Sequence, residues 1–324
     1  MVWLELLGGL VLLLAGGEAL VRGSVGVATR LGVSPLVIGL TLVGFGTSMP
    51  ELVASVQAAS AGAPGLAVGN IVGSNIANIL LILGTSAVIY PMATSRNAFR
   101  RDGSVLIAVS LLLVAVALIG TLGRLAGGIF IALLGAYTVS TYLAERAGAA
   151  SAERRSAEAD DAAPAHMGVL TGLALTAGGI AGVVFGAGFL VDSAIVLARG
   201  FGLSEAVIGL TLVAVGTSLP ELVTSVMAAL RRHSDVAFGN VVGSNIFNIL
   251  GIGGVTALVS PIEVPRQIIV LDVWAMLLAA ALLVVFAVTG WRLSRREGAI
   301  FLALYIGYLA LQLSPALRSG FGLA

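Results

Sequence analysis

One stretch of this chain occurs twice, and the repeat limits the possible folds more than any other feature. From residue 36 the chain reads LVIGLTLVGFGTSMPELVASVQAA and, after a short break, AVGNIVGSNIANILLILG, ending at 84. From 206 it reads AVIGLTLVAVGTSLPELVTSVMAA and, after a break, AFGNVVGSNIFNILGIGG, ending at 254. Adding 170 to a residue number in the first copy gives its counterpart without a gap. Across 31–60 and 201–230, 20 of 30 positions are identical, and across 66–84 and 236–254, 13 of 19, so the chain is a duplication. Each copy is strongly apolar yet carries one carboxylate, Glu51 or Glu221. An ionisable group inside a lipid-like run is the main pointer to function.

Composition sets the environment. The chain is 58% hydrophobic and 10% charged, against roughly 25% charged in soluble domains. It reads as an all-α integral membrane protein with many spans, not a globular enzyme. A content of 43 glycines suits close helix approach and broken helices in lipid. No basic block or aromatic platform suggests nucleic acid. The absence of cysteine excludes disulfides and thiolate metal sites. The two histidines, His166 and His233, fall in polar loops. The apolar N-terminal run carries Glu5 and no early basic residue, so it reads as a retained first span.

Hydropathy predicts ten transmembrane helices, at about 2–28, 35–60, 66–90, 103–119, 125–143, 167–198, 204–230, 236–260, 267–288 and 297–317. The first and sixth exceed a bilayer's needs and are expected to tilt. The expected organisation is a first five-helix repeat over 1–143, a cytoplasmic linker over 144–166 and a second repeat over 167–324. The linker mixes both charge signs with Ala and Ser and has no apolar face, which predicts a flexible connection. The chain has no lysine, so arginine sets the orientation: with the N-terminus outside, 13 of the 17 arginines lie at the inner face. Both termini are then outside. Five spans per half is an odd number, so the second half must enter the membrane inverted. The loops agree: the break is the uncharged SAGAPG in copy one and LRRHSD in copy two. Inverted repeats bring their motifs together near the midplane, where transporters bind substrate.

The chemistry is concentrated in GTSMPE, residues 46–51, and GTSLPE, residues 216–221. Pro50 has no N–H, so the carbonyl of Gly46 loses its helical donor. Thr47 and Ser48 lie four and three residues before Glu51 and can share its helix face. Carboxylate, hydroxyls and freed carbonyls together make an all-oxygen nest for a hard cation. Thr217, Ser218, Pro220 and Glu221 repeat it. One such motif alone would also suit a proline kink with a satisfied glutamic acid; two copies in inverted halves favour a site. The following spans carry GSNIAN, with Ser74, Asn75 and Asn78, and GSNIFN, with Ser244, Asn245 and Asn248. Their oxygens are neutral ligands, and their amides can also tie packed helices together. Asn75 and Asn245 lean toward packing, Asn78 and Asn248 toward the site. Glu18 is expected to pair with Arg22, four residues on, while Asp192 and Asp272 read as pairs or interface anchors.

These two motif pairs resemble the alpha-repeats of the calcium/cation antiporter superfamily, most of all its prokaryotic sodium/calcium exchanger branch. The resemblance spans the whole chain. It implies that the second, third, seventh and eighth spans surround the ions, with the first and sixth sliding as a gate. It implies calcium ligation by Glu51, Glu221 and the carbonyls of Thr47 and Thr217. It implies sodium ligation by the same glutamates with oxygens at Gly44, Thr47, Ser48, Ser74, Ala214, Thr217, Ser218 and Ser244, and polar positions at Asn78 and Asn248. Several relatives of this kind have Asp where this chain has Asn248, and the amide argues against potassium dependence.

The expected activity is therefore antiport of Ca2+ for Na+ by alternating access in the plasma membrane. A proton-coupled antiporter, or one for another divalent cation, is the alternative. A membrane hydrolase using paired glutamates would need a partner side chain at midplane depth, which neither histidine supplies. A passive channel would carry flux without a counter-ion gradient. No cofactor and no obligatory protein partner are expected, and a single chain should suffice.

Overall fold

The computed structural model describes residues 2–31, 35–93, 96–156, 168–200 and 214–313. Nearly all of them are helical. Chain in hydrocarbon must satisfy its own backbone N–H and C=O groups, and a helix does so within one segment. The elements of the first half are α1 (Val2–Leu31), α2 (Pro35–Ile38), α3 (Gly44–Thr47), α4 (Met49–Ser60), α5 (Pro64–Ala77), α6 (Gly84–Ile89), β1 (Met92–Ala93), α7 (Arg96–Ile119), β2 (Thr121–Leu122) and α8 (Arg124–Ser156). Those of the second are α9 (Val169–Gly200), α10 (Ala214–Thr217), α11 (Leu219–Leu230), α12 (Ser234–Ile246), α13 (Gly253–Val259), β3 (Ile262–Glu263), α14 (Val273–Val288), β4 (Arg292–Leu293) and α15 (Arg295–Leu313). Short π-helical turns, Gly39–Val43, Asn78–Leu83, Phe247–Ile252 and Ile268–Asp272, join several of these into longer rods.

Among the described residues seven helices are long and apolar enough to cross a membrane, and a bent pair, Leu36–Thr47 with Met49–Ser60, makes an eighth. Residues 204–213 of the expected seventh span lie outside the described residues, as does the end of the tenth. Large apolar side chains face outward: Trp3, Leu4, Leu7 and Val11 on α1, and Leu170, Phe185 and Phe189 on α9. Such a surface suits lipid rather than water. The chain is thus a multi-pass membrane protein. One local expectation changes: the start of the linker is not loose chain, because α8 continues as helix to Ser156. Ala, Glu and Arg dominate AERAGAASAERRS, and these are strong helix formers that outweigh the lack of an apolar face. Residues 157–167 lie outside the described set.

Contacts divide the chain into two compact units, residues 1–50 with 132–244, and 51–131 with 245–324. Each draws on both copies of the duplication. In the first unit α1 and its repeat counterpart α9 pack along their length. A Cβ added at Gly9 would fall 2.8 Å from the Gly186 carbonyl oxygen, at Gly16 2.7 Å from the Val183 nitrogen, and at Gly23 2.6 Å from the Thr176 nitrogen. The partner numbers fall as the α1 numbers rise, so these two equivalent helices run antiparallel. Leu13, Leu20, Val27, Ile38, Val43 and Val183 form the buried core beside this seam.

In the second unit two miniature sheets join the copies. Met92 pairs with Leu293 and Ala93 with Arg292; Thr121 pairs with Glu263 and Leu122 with Ile262. β1 and β3 differ by 170 and β2 and β4 by 171, the second copy having one extra residue before β4, so the unit builds one junction twice. Asp272 closes a brace near the start of α14: the Tyr308 hydroxyl donates to its Oδ1 at 3.0 Å, Gln312 donates to the same oxygen, and Gln267 donates to Gln312 at 2.8 Å. In the first unit Glu18 pairs with Arg22, as its spacing predicts, and also with Arg231. Asp192 is exposed.

Candidate functional site

Each GTSxPE motif breaks its helix at the serine, two residues before the proline. Ser48 has φ −84° and ψ 7°, and Ser218 has φ −93° and ψ 6°. Neither Pro50 nor Pro220 has an N–H to offer the preceding turn. The chain restarts as α4 and α11, with the glutamate in the first turn of each. The first break bends the rod by 44°. Both glutamates are buried, Glu51 at 1% exposure and Glu221 at 0%, where an isolated carboxylate would be expensive.

In the first unit the residues meet around Glu221. The Ser48 hydroxyl donates to Glu221 Oε1 at 2.8 Å. The other carboxylate oxygen, Oε2, is buried and has no hydrogen-bond partner among the described residues. Thr47 Oγ1 lies 3.1 Å from the Val43 carbonyl, 3.3 Å from that of Gly44 and 3.2 Å from Asn240 Oδ1. It has one proton, so it serves these acceptors by turns. Ser244 donates to the Gly44 carbonyl at 3.2 Å. Gly44 permits that contact, since a Cβ there would lie 3.0 Å from the Ser244 nitrogen. Thr47, Ser48, Gly44, Ser244 and Glu221 are thus brought together. Ser218 is buried and Thr217 half-buried, and Ala214 opens α10.

The second unit holds Glu51 and the asparagines. Asn78 donates to Asn245 Oδ1 at 3.3 Å. Asn75 instead donates to the Ile71 carbonyl, one turn back on its own helix, at 2.7 Å. Asn248 is buried, and neither its amide nitrogen nor its oxygen has a hydrogen-bond partner among the described residues. A buried amide lacking both kinds of partner is costly and is suited to receive a ligand. Asn78 begins one π-helical turn and Asn248 lies within another. Such turns recur at functional sites because the added residue shifts the direction of side chains after it. Ser74 is buried nearby in sequence on α5.

Two further pairs were not picked out from the motifs. Asn70 donates to the Glu51 carbonyl at 3.1 Å and to Ser55 Oγ at 2.8 Å. Asn240 donates to the Glu221 carbonyl at 3.3 Å and to Ser225 Oγ at 2.9 Å. Each asparagine therefore braces the backbone of its glutamate. The signal was present: Asn70, Ser55, Asn240 and Ser225 occupy matching, identical positions of the duplication.

The donor set is made of oxygens and amides. Among the described residues no group of three or more His, Cys, Asp or Glu gathers as a metal site, so any bound cation would rely on neutral oxygens beside a carboxylate. That chemistry suits weakly held hard cations rather than a resident transition metal.

Comparison with known proteins agrees. The family model described as "Sodium/calcium exchanger protein" matches residues 1–143 and 171–314. The chain is 35% identical over 342 residues to the sodium/calcium exchanger MaX1 of Methanosarcina acetivorans, covering 95% of this chain and 97% of that one. It is 36% identical over 301 residues to the inner membrane protein YrbG of Escherichia coli, covering 90% of each. Among solved structures, the sodium-calcium exchanger NCX_Mj soaked with zero Na+ and Ca2+ superposes with a TM-score of 0.83 at 35% identity, covering 96% of this chain and 100% of the other.

Proposed function

This chain belongs to the sodium/calcium exchanger family, and from that premise we propose that it is an antiporter exchanging Ca2+ for Na+ by alternating access, with Glu51 and Glu221 as its ion-binding carboxylates. The observation that carries the assignment is the pair of buried glutamates, each just after the same helix break and each braced at its backbone by an asparagine. Neutral oxygens complete the ligand set: Thr47, Thr217, Ser48, Ser218, Ser74, Ser244, Asn78, Asn248 and the backbone at Gly44 and Ala214.

Charge accounts for the coupling. Two ionised glutamates carry −2, which one Ca2+ cancels. Three Na+ in its place would leave +1, so exchange would be electrogenic, at about 2.3 kcal/mol per 100 mV for one charge crossing the field. An empty site would have to carry two bare carboxylates through an occluded state, at about 2.5–3.5 kcal/mol each even on lenient scales. Ion loading removes that penalty, so the groups that bind the ion also suppress slippage. Asn248 supplies a neutral amide and no third charge, which argues against potassium dependence, while the GTSxPE form of both motifs favours sodium as the coupling ion. The arrangement we propose in the membrane is ten spans in two inverted repeats with both termini outside, acting as a monomer in the plasma membrane. The inward bias of arginine and the antiparallel packing of α1 against α9 support it.

The test is calcium uptake into proteoliposomes under sodium, proton and potassium gradients imposed singly. Uptake driven by sodium alone, and lost in Glu51→Gln, is expected. Uptake driven by protons would reassign the coupling ion, and undiminished exchange by Glu51→Gln would remove that residue from the site.

A further inference from the structure

We propose that the β1–β4 junction is a binding site for the headgroup of an anionic phospholipid. The second unit supplies its own control, since it builds the same backbone junction twice. At β1–β4 the guanidinium carbons of Arg96 and Arg100 lie 5.2 and 5.7 Å from the centre of the Trp291 ring. Arg292 sits in β4 opposite Ala93, and Arg295 and Arg296 begin α15. All five arginines are exposed. The neighbouring Arg101 is occupied otherwise, donating to both carboxylate oxygens of Asp102 at 2.8 and 3.0 Å. Glu297 is also engaged, accepting from the Ser294 amide and hydroxyl at 2.7 Å.

At the β2–β3 junction Arg96 and Arg295 have arginine counterparts, Arg266 and Arg124, but those of Arg100, Arg292 and Arg296 are Val270, Thr121 and Leu125, and Trp291 falls at the one residue the second copy adds after Gly290. The strands pair there all the same, so the junction does not require Arg100, Arg292, Arg296 or Trp291. Their placement also has a cost. Arg96 and Arg100 are like charges four apart in the first turns of a helix, where repulsion and the macrodipole both disfavour cations. The Trp291 ring face offsets part of this, and Trp291 holds a left-handed φ of 54° to sit there. A phosphate between the guanidinium groups would reverse the balance. Apolar surface next to the arginines favours a lipid over a free anion. Ile300 and Leu304, four and eight residues beyond Arg296 on the same helix face, are 46% and 38% exposed, so acyl chains would lie along them. The proposal rests on the membrane placement of the chain and not on which ions it exchanges.

The test titrates phosphatidylglycerol and phosphatidylcholine onto the purified full-length protein in detergent, counting bound lipid by native mass spectrometry. Wild type should prefer phosphatidylglycerol by about tenfold. Arg96→Gln/Arg100→Gln should lose the preference, and Arg124→Gln/Arg266→Gln, at the other junction, should keep it. Should the double variant fail to fold, Arg296→Gln alone should weaken the preference. Equal binding of the two lipids by wild type, equal loss in both double variants, or displacement of phosphatidylglycerol by an equal concentration of inorganic phosphate would overturn the proposal. Transport is not measured, so failure here leaves the exchange assignment standing, and failure of exchange leaves this one standing.

Discussion

The two copies of the repeat share a backbone and differ in what surrounds it. Both break at a serine, restart at a Pro-Glu pair and tie the glutamate carbonyl to an asparagine nineteen residues on. Around that frame they diverge. Asn240 is fully buried and also lies within reach of Thr47, whereas Asn70 is half-buried. Copy one has Gly44 and Ala77 where copy two has Ala214 and Phe247. The turn after α4 passes through Gly62 at φ 76°, and the turn after α11 through Arg232 at φ 61°. Glycine takes that conformation freely and arginine at a cost. The break, the Pro-Glu restart and the asparagine brace, which hold the proposed ion-binding glutamates, are thus the same in both copies, while Asn240 and Asn70 differ in burial.

The largest effect should test whether the two copies contribute alike. Glu51→Gln and Glu221→Gln each remove one of the two charges of the proposed site, so each should reduce sodium-driven calcium uptake in proteoliposomes to background. A variant that keeps exchange at one position but not the other would mean that a single copy holds the ion.

Of this frame, the duplication and the glutamates were legible in the sequence because chemistry at fixed spacing survives in one dimension. An offset of 170 and a carboxylate inside an apolar run need no coordinates. Asn70 and Asn240 were legible in principle, being identical between copies, but their role depends on a contact across nineteen residues that no helical periodicity suggests. The π-helical turns at Asn78–Leu83 and Phe247–Ile252 were not legible. One added residue per turn leaves hydropathy unchanged while shifting the direction of the side chains that follow Asn78 and Phe247. The helix over 144–156 was missed for the opposite reason: charge and the lack of an apolar face obscured a run of good helix formers.

The asparagine braces sharpen the comparison at the next scale. Asn240→Ala would take the amide from the Ser225 hydroxyl and the Glu221 carbonyl in a buried place and remove one of the three acceptors within reach of the Thr47 hydroxyl, at about 1–3 kcal/mol. Asn70→Ala should cost less, because water can replace the amide at a half-buried position. Thermal unfolding in detergent should rank them in that order, and the calcium concentration for half-maximal uptake should rise more for Asn240→Ala. Equal effects would mean that the Thr47 contact adds nothing. Below this lies an exchange of residues between copies. Gly44→Ala installs the residue that copy two carries at 214, but its Cβ would lie 3.0 Å from the Ser244 nitrogen and 3.2 Å from the Gly243 carbonyl carbon. Backbone must shift by a few tenths of an ångström, so a loss of about 1 kcal/mol is expected, together with weaker sodium binding as Ser244 loses its carbonyl. An unchanged melting temperature would show that this crossing has slack.

The smallest effect concerns a contact that copy two alone makes. Arg231 places two nitrogens on Glu18, Nε at 2.7 Å from one carboxylate oxygen and a terminal nitrogen at 2.6 Å from the other. The counterparts of Glu18 and Arg231 are Gly188 and Ala61, which can form no ion pair. The bridge links α1 to the end of α11, yet half of the Arg231 side chain is exposed, and Arg22 remains beside Glu18 to take over. A double-mutant cycle of Glu18→Gln with Arg231→Ala should therefore give a coupling of about 0.2–1 kcal/mol, shrinking as salt rises. Because the bridge exists in one copy only, it would stabilise whichever conformation keeps α1 against α11 without an opposing bridge in copy one. Its loss should then change the ratio of calcium uptake rates measured from the two membrane faces while leaving the sum nearly constant. A ratio indifferent to Arg231→Ala would reduce the pair to a surface contact.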